Sequence, residues 1–344
     1  MGSSAADGPL AALEIVTFED AALVVNLRTG SYYRLNPTAE LVCRLLLDGG
    51  TAESARSTLV ARNGFSIEDA EQSVAAVMAA LSDPGPTGEP PGDLRYRPTA
   101  WGYALHFDKQ PIIETSHDGG AIRLAPGYSS PAAAGEWVRS IAPKILSLQG
   151  AAVLHASACW FGPALVAMCG ESGAGKTTTV RAFASAGRTI VAEDLLALDI
   201  RSASPSVFLD AEFTLRRWAV ETGTALERAP SQAIDCRHLP SLIQEGPTAP
   251  LARILFLDRA RRGNDLRADQ IARIDALGEL LGANFLGSED RAVWRQFVKL
   301  NSLLARAIPG ARLWVPNGLI ALQHAAARFD YELAIGTRPG KLKR

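Results

Sequence analysis

The octapeptide Gly170-Glu171-Ser172-Gly173-Ala174-Gly175-Lys176-Thr177 constrains this chain more than any other stretch. It follows Pro163-Ala164-Leu165-Val166-Ala167-Met168-Cys169, an apolar run that reads as a buried strand. It precedes Lys176 to Ala186, which reads as a helix ended by Gly187. Strand, G-x-x-x-x-G-K-T and helix, in that order, is the setting a phosphate loop requires. The glycines let backbone N–H groups turn inward toward phosphate oxygens, and the helix N-terminus adds its positive end. Gly170, Glu171, Ser172, Gly173, Ala174, Gly175, Lys176, Thr177 and Thr178 are therefore expected to hold ATP. Lys176 is expected to bridge the β and γ phosphates, and Thr177 to ligate Mg²⁺. An α/β fold follows for this part of the chain.

The flanks narrow the chemistry. Arg188-Thr189-Ile190-Val191-Ala192 reads as the next strand and ends in Glu193-Asp194. Adjacent carboxylates at a strand end beside a phosphate loop can hold the metal and deprotonate an acceptor hydroxyl; the residues leave open which does which. His155 lies in the apolar run Ala152-Val153-Leu154-His155-Ala156, where a lone histidine is more often a packed core residue than a catalytic one. A second apolar strand, Ala252 to Asp258, ends in another carboxylate, although Glu193 and Asp194 are preferred for the metal. Arg259, Arg261 and Arg262 could neutralise a transferred phosphoryl group or simply face solvent. Arg216 and Arg217 could touch nucleotide or acceptor.

Residues 83–97 concentrate Pro and Gly without an apolar period and read as a linker between a small module, 10–82, and a large one, 98–344. In the small module Leu13–Phe18, Ala22–Leu27 and Ser31–Leu35 read as strands. Three helices follow, opened by Asn36-Pro37, Thr51 and Ser66. This is a winged-helix-like α+β arrangement. Winged modules also bind DNA, but residues 10–82 hold nine Asp/Glu, five Arg and no Lys, and the whole chain has a formal charge of −1. Neither is the basic face that nucleic acid requires, so no nucleic-acid partner is expected. Ala151 to Cys169 is the most apolar window, but His155, Gly162 and Pro163 interrupt it, so two buried strands are expected there and no membrane span. Cys43, Cys159, Cys169 and Cys236 lack metal-ligand spacing and suit a reducing compartment. No charged-then-apolar leader opens the sequence, and a cytoplasmic location is expected.

Two resemblances add to this reading. Gly30-Ser31-Tyr32-Tyr33-Arg34-Leu35-Asn36-Pro37-Thr38-Ala39, with the helices after it, resembles the PqqD-like precursor-recognition domains. That implies capture of a precursor-peptide leader by residues 10–82, the leader adding as a strand to the sheet edge. Leu154-His155-Ala156-Ser157, the phosphate loop, and Ile190 through Asp194 together resemble the catalytic domain of the HPr kinase family, related to the phosphoenolpyruvate carboxykinase type of nucleotide site. This resemblance implies serine phosphorylation by ATP. It places His155 on the active-site histidine, Lys176 and Thr177 on the phosphate and metal ligands, and Glu193 and Asp194 on the paired aspartates. By it Asp194, shared with Thr177, is expected on the metal, and a homo-oligomer is possible. Three departures stand out. Thr177-Thr178 replaces the Ser-Glu of bifunctional members, Glu193 replaces an aspartate, and the segment associated with reverse dephosphorylation is not found. Taken together the resemblances point to tailoring kinases of ribosomal peptide pathways, those of lasso peptides foremost. A regulatory kinase/phosphorylase of HPr type and a nucleotide-gated binding protein are the alternatives.

Overall fold

The computed structural model describes residues 12–18, 21–27, 31–82, 94–128, 131–171, 173–202, 204–259, 265–283 and 291–331. The chain divides into two compact units, one of residues 1–91 with 287–296 and one of 92–286 with 297–344.

In the first unit β1 (Leu13–Thr17), β2 (Ala22–Asn26) and β3 (Tyr32–Leu35) form an antiparallel sheet in that order, with β3 at one edge. Helices α1 (Pro37–Leu47), α2 (Ala52–Asn63) and α3 (Ile67–Ser82) follow, and each starts where a side chain meets an orphan backbone N–H. Asn36 accepts from the Ala39 N–H at 2.8 Å. Thr51 and Ser54 exchange bonds at 2.9 and 3.1 Å, and Ser66 accepts from Asp69 at 3.1 Å. Each such cap contributes about 1 kcal/mol. Val24, Val42, Leu46, Leu59, Val74 and Leu81 form the core between sheet and helices.

The second unit opens with β4 (Leu94–Pro98), β5 (Gly102–Phe107), β6 (Gln110–Ser116) and β7 (Ala121–Leu124). Residues 94–97, expected in the linker, belong instead to β4. Tyr96 supplies the burial that the Pro- and Gly-rich composition hides, and its hydroxyl donates to the Ser140 carbonyl. Because β4 is an edge strand, Pro98 costs no ladder bond. Next come α4 (Ala134–Leu148), β8 (Ala152–Leu154), β9 (Ser157–Phe161), β10 (Ala164–Cys169), α5 (Lys176–Ser185), β11 (Ile190–Ala192), β12 (Leu196–Asp199) and β13 (Ser206–Phe208). The chain continues through α6 (Ala211–Arg228), β14 (Ile234–Asp235), α7 (Leu239–Ile243), β15 (Thr248–Arg259), β16 (Arg267–Gln270), α8 (Arg273–Ala283), α9 (Arg291–Ala307), β17 (Gly310–Val315) and α10 (Leu319–Arg328). The window Ala151–Cys169 thus holds three strands where two were expected, and His155 falls in the turn after β8, not inside it.

A five-stranded sheet runs β14-β7-β6-β5-β4. A nine-stranded sheet runs β11-β9-β10-β15-β13-β12-β8, with β17 joining β15 and β16 joining β17. Among the described strands only the central pairs β10–β15 and β15–β17 are parallel. One hydrophobic cluster packs α5 and α10 on the large sheet. There Phe183 is fully buried and meets Phe161 edge-on at 4.8 Å; burying such a ring stabilises by roughly 2–3 kcal/mol. A second cluster packs α4 and α6 against β5, β6 and β7. α4 and α6 cross so closely that a Cβ on Gly223 would lie 2.4 Å from the Gly135 nitrogen. No described helix is long and apolar enough to cross a membrane.

Candidate active site

The phosphate loop leaves β10 at Gly170 and enters α5 at Lys176. Gly175 occupies the N-cap position with φ +93°, a left-handed conformation that a side chain would strain. It supplies no side-chain cap, so the first-turn N–H groups of α5 meet no capping oxygen. Such an end is suited to an anion. Lys176 is 6% exposed, and its Nζ donates to the carbonyls of Gly170 at 2.9 Å and Glu171 at 3.1 Å. Burial pushes this ammonium below its ordinary pKa, with Cys169 and Asp194 acting the other way. Thr177 is half-buried and Thr178 exposed at the helix start, while Ser172 lies outside the described residues. A glycine cradle, a buried ammonium held by backbone carbonyls and an uncapped helix start together fit a polyphosphate.

Glu193 and Asp194, interchangeable in the sequence, stand in different surroundings. Glu193 forms a two-pronged pair with Arg181, Nε–Oε1 at 2.8 Å and Nη2–Oε2 at 2.9 Å. The guanidinium holds its carboxyl below the usual carboxylate range, against a smaller effect of burial. Its carbonyl accepts from Ser157 Oγ at 2.5 Å. Asp194 is left facing His155, with Oδ1 3.5 Å from Nε2. His155 is half-exposed. Burial and then Lys176 lower its pKa, and Asp194 raises it less. His155, Asp194 and Lys176 thus lie within electrostatic reach of one another, with the imidazole neutral at pH 7. The reading of His155 as a packed core side chain is corrected, because ending β8 at Leu154 turns it out of the sheet.

Glu212 was not singled out in the sequence. It lies near the start of α6, and its Oε2 accepts the backbone N–H of Glu193 at 2.7 Å and of Asp194 at 3.4 Å. Arg216 donates to the other oxygen from Nε at 3.0 Å. Only the i, i+4 spacing of Glu212 and Arg216 hinted at the pair. Beside it opens a cavity of about 380 Å³, lined by His155, Asp194, Glu212, Arg216 and a face of α4, and among the described residues by none of the phosphate loop.

The remaining candidates are placed as follows. Asp258, one residue before the end of β15, lies opposite Trp314 of β17, and its carboxylate sits 3.8 Å from Arg312 Nε. Arg217 is exposed. Arg261, Arg262 and the side chain of Arg259 lie outside the described residues. All four cysteines are free and buried, and burial pushes the Cys169 thiol up to about 12. Among the described residues no three His, Cys, Asp or Glu side chains converge as a metal cage. Mg²⁺ at phosphates needs no such cage, since one or two carboxylates suffice.

The site and its sheet define an α/β phosphate-loop unit joined in one chain to a small sheet-and-helix module. Residues 22–85 match the family described as "Coenzyme PQQ synthesis protein D (PqqD)", so the small module holds a PqqD-like domain. No curated protein matches the sequence. Among solved structures the chain is similar to the HPr(Ser) kinase/phosphatase from Coxiella burnetii, over 51% of this chain and 93% of that one, at 11% identity and a TM-score of 0.24. At that score the likeness decides nothing about the site, whose reading rests on the distances above.

Proposed function

We propose that this protein is an ATP-dependent kinase that phosphorylates a Ser or Thr hydroxyl of a ribosomally made precursor peptide, of the lasso-peptide kind, while its N-terminal domain holds the peptide's leader. The observation that carries this reading is the position of Asp194, within electrostatic reach of Lys176 and His155 and at the same time lining a cavity walled by α4 and α6. When bound, ATP with Mg²⁺ supplies the phosphoryl group and its neutralising charge. The α5 N–H groups and Lys176 hold the phosphates, and Thr177 and Asp194 are the protein oxygens assigned to the metal. Asp194 would also receive the proton that the acceptor hydroxyl loses as the γ-phosphoryl group passes to its oxygen and the bond to the departing ADP breaks. Glu193 is withdrawn from that duty by Arg181, and neutral His155 orients Asp194.

The PqqD-like domain supports a peptide substrate. The edge strand β3 borders a groove of about 620 Å³ against α1 and α3, lined by Tyr33, Leu35, Phe65 and Val77 among others. An extended segment adding there would gain main-chain hydrogen bonds and side-chain pockets. Tethering by the leader raises the local concentration of a weakly bound acceptor.

The direct test incubates the protein with ATP, Mg²⁺ and precursor peptides encoded beside its gene. One HPO₃ per modified hydroxyl is expected in the mass spectrum. If ATP binds and no peptide gains that mass, the kinase reading falls and a nucleotide-gated binding protein remains.

A further inference from the structure

We infer that Leu319 and Ile320, at the start of α10, form the seat for the nucleoside end of ATP, the base lying on their side chains while the phosphates occupy the loop. This deepens the kinase reading and rests on its nucleotide. Leu319 is 56% and Ile320 71% exposed. Among the described residues they are the only exposed large hydrophobics adjacent in sequence, and Ile320 is the most exposed of all. Apolar residues scattered singly over a surface need no explanation, but a pair beside a ligand site does.

The sheet brings that pair to the phosphate loop. β10, β15 and β17 lie side by side and parallel, so their C-terminal ends share one edge. It is outside such ends that α/β sheets bind ligands. The phosphate loop and α5 follow β10, while Pro316-Asn317-Gly318 and α10 follow β17. Both helices therefore start at that edge and run back together, Phe183 of α5 meeting Phe329 after α10 with ring centroids 5.6 Å apart. From that level, seven residues of α5 lead back to Lys176 and ten of α10 to Leu319, about 10 and 15 Å at the helical rise. Leu319 thus stands about 5 Å further out than Lys176 and, across two packed helices, about 8–10 Å to one side.

The surface there suits a base. Leu319, Leu322, Ala326 and Phe329 follow one stripe of α10. The last three pack with Val180 and Phe183, and Leu319 carries the stripe on into solvent. Gly318 is the N-cap with φ +90°, and a Cβ on it would meet nothing within 4 Å, so the approach beside Leu319 is open. No acidic residue stands in the first turn to repel phosphate. Aliphatic side chains laid against a ring face remove apolar surface of both from water. Asp194, which follows β11, lies on the other side of the loop, because the sheet runs β11-β9-β10-β15 with β17 beyond. The γ-phosphate would point toward Asp194 and the nucleoside toward α10, so base and acceptor do not compete for space.

The test titrates the full chain by calorimetry, with Mg²⁺ present, using ATP and inorganic tripolyphosphate, which offers the phosphates without the nucleoside. The wild type should bind ATP at least about tenfold more tightly, or about 1.4 kcal/mol. Leu319→Ala with Ile320→Ala should lose most of that advantage and leave tripolyphosphate binding unchanged. Alanine favours the helix and both positions are exposed, so the fold should survive; a thermal unfolding scan checks this. Ile320→Ala alone, the milder change, should lose part of the advantage. If the double variant keeps the full preference for ATP, or weakens both ligands equally, the inference is overturned and the kinase reading is intact. Equal binding of the two ligands by the wild type overturns it in the same way. If the variants behave as expected and no peptide is phosphorylated, the kinase reading fails and the nucleoside seat stands. Binding of neither ligand by the wild type would overturn both.

Discussion

The two sides of Asp194 are built in opposite ways. The phosphate side is a run of contiguous residues, 170 to 178, whose function depends on local backbone geometry at Gly175 and on one buried side chain, Lys176. The cavity side draws Tyr96 from β4, Lys144 from α4, His155 from the end of β8, Glu212 and Arg216 from α6, and Phe297 from α9. A contiguous loop survives most changes elsewhere in the protein and fails to a single substitution within it. A cavity drawn from distant elements depends on how helices pack, so it can change its selectivity while the chemistry beside it stays the same.

The sharpest way to break this division is to substitute the residue shared by both sides. Asp194→Asn should lower kcat by about 10²–10⁴-fold, the usual contribution of a positioned general base. ATP binding, measured by titration calorimetry without Mg²⁺, should change little. Lys176→Met should do the reverse in emphasis and abolish tight ATP binding along with transfer. Lys176 is buried and bonded to two loop carbonyls, so its variant also needs a thermal unfolding scan to separate a loosened loop from a lost phosphate contact. If Asp194→Asn lost nucleotide binding as completely as Lys176→Met, the two sides would not be separable.

A smaller effect is expected at Glu212, which holds the Glu193–Asp194 backbone in place without touching substrate. Glu212→Gln keeps an acceptor but loses the charge, and charge-assisted bonds of this kind are worth about 1.5–3 kcal/mol. A drop in kcat of about tenfold is expected, with KM for ATP unchanged. Glu212→Asp should restore part of kcat if charge matters, and none of it if Glu212 only fills space.

The same contrast explains what could be read from sequence. Asn36-Pro37, Thr51 with Ser54, and Ser66 with Asp69 announced three helix starts because caps are local chemistry. The phosphate loop was legible for the same reason. The strands β5 and β6 were not, since Tyr103, Ala104 and Leu105 are buried in succession, as are Ile112 through Thr115. Burial on both faces removes the period-two signal of a strand. β4 was hidden by the prolines and glycines before it. Glu212 lies 19 residues from the Glu193 backbone it holds, and no pattern in the chain links the two. Equally, the difference between Glu193 and Asp194 is set by Arg181, one helix away, and is invisible in the pair itself.

His155 offers the gentlest test because it touches both sides without holding either. Burial and the nearby Lys176 lower its pKa, so it is neutral at pH 7 and gains its proton only below the ordinary histidine value of about 6.5. A protonated imidazole 3.5 Å from Asp194 would make that carboxylate a weaker base. The profile of kcat/KM against pH should therefore fall on an acid limb below that value, and His155→Gln should remove the limb while costing only a few-fold at pH 8. Stability carries the same sign. The folded state binds this proton less readily than the unfolded chain does, so the contribution is present above the unfolded pKa and is lost as pH falls through the folded one. Because the ring is half-exposed the loss should be small, visible as a slight excess decline in the urea midpoint of the wild type relative to His155→Gln between neutral pH and the acid limb. A variant whose acid limb matches the wild type would show that His155 does not tune Asp194, and would leave Lys176 and the Glu212-held backbone as the groups that act on that carboxylate.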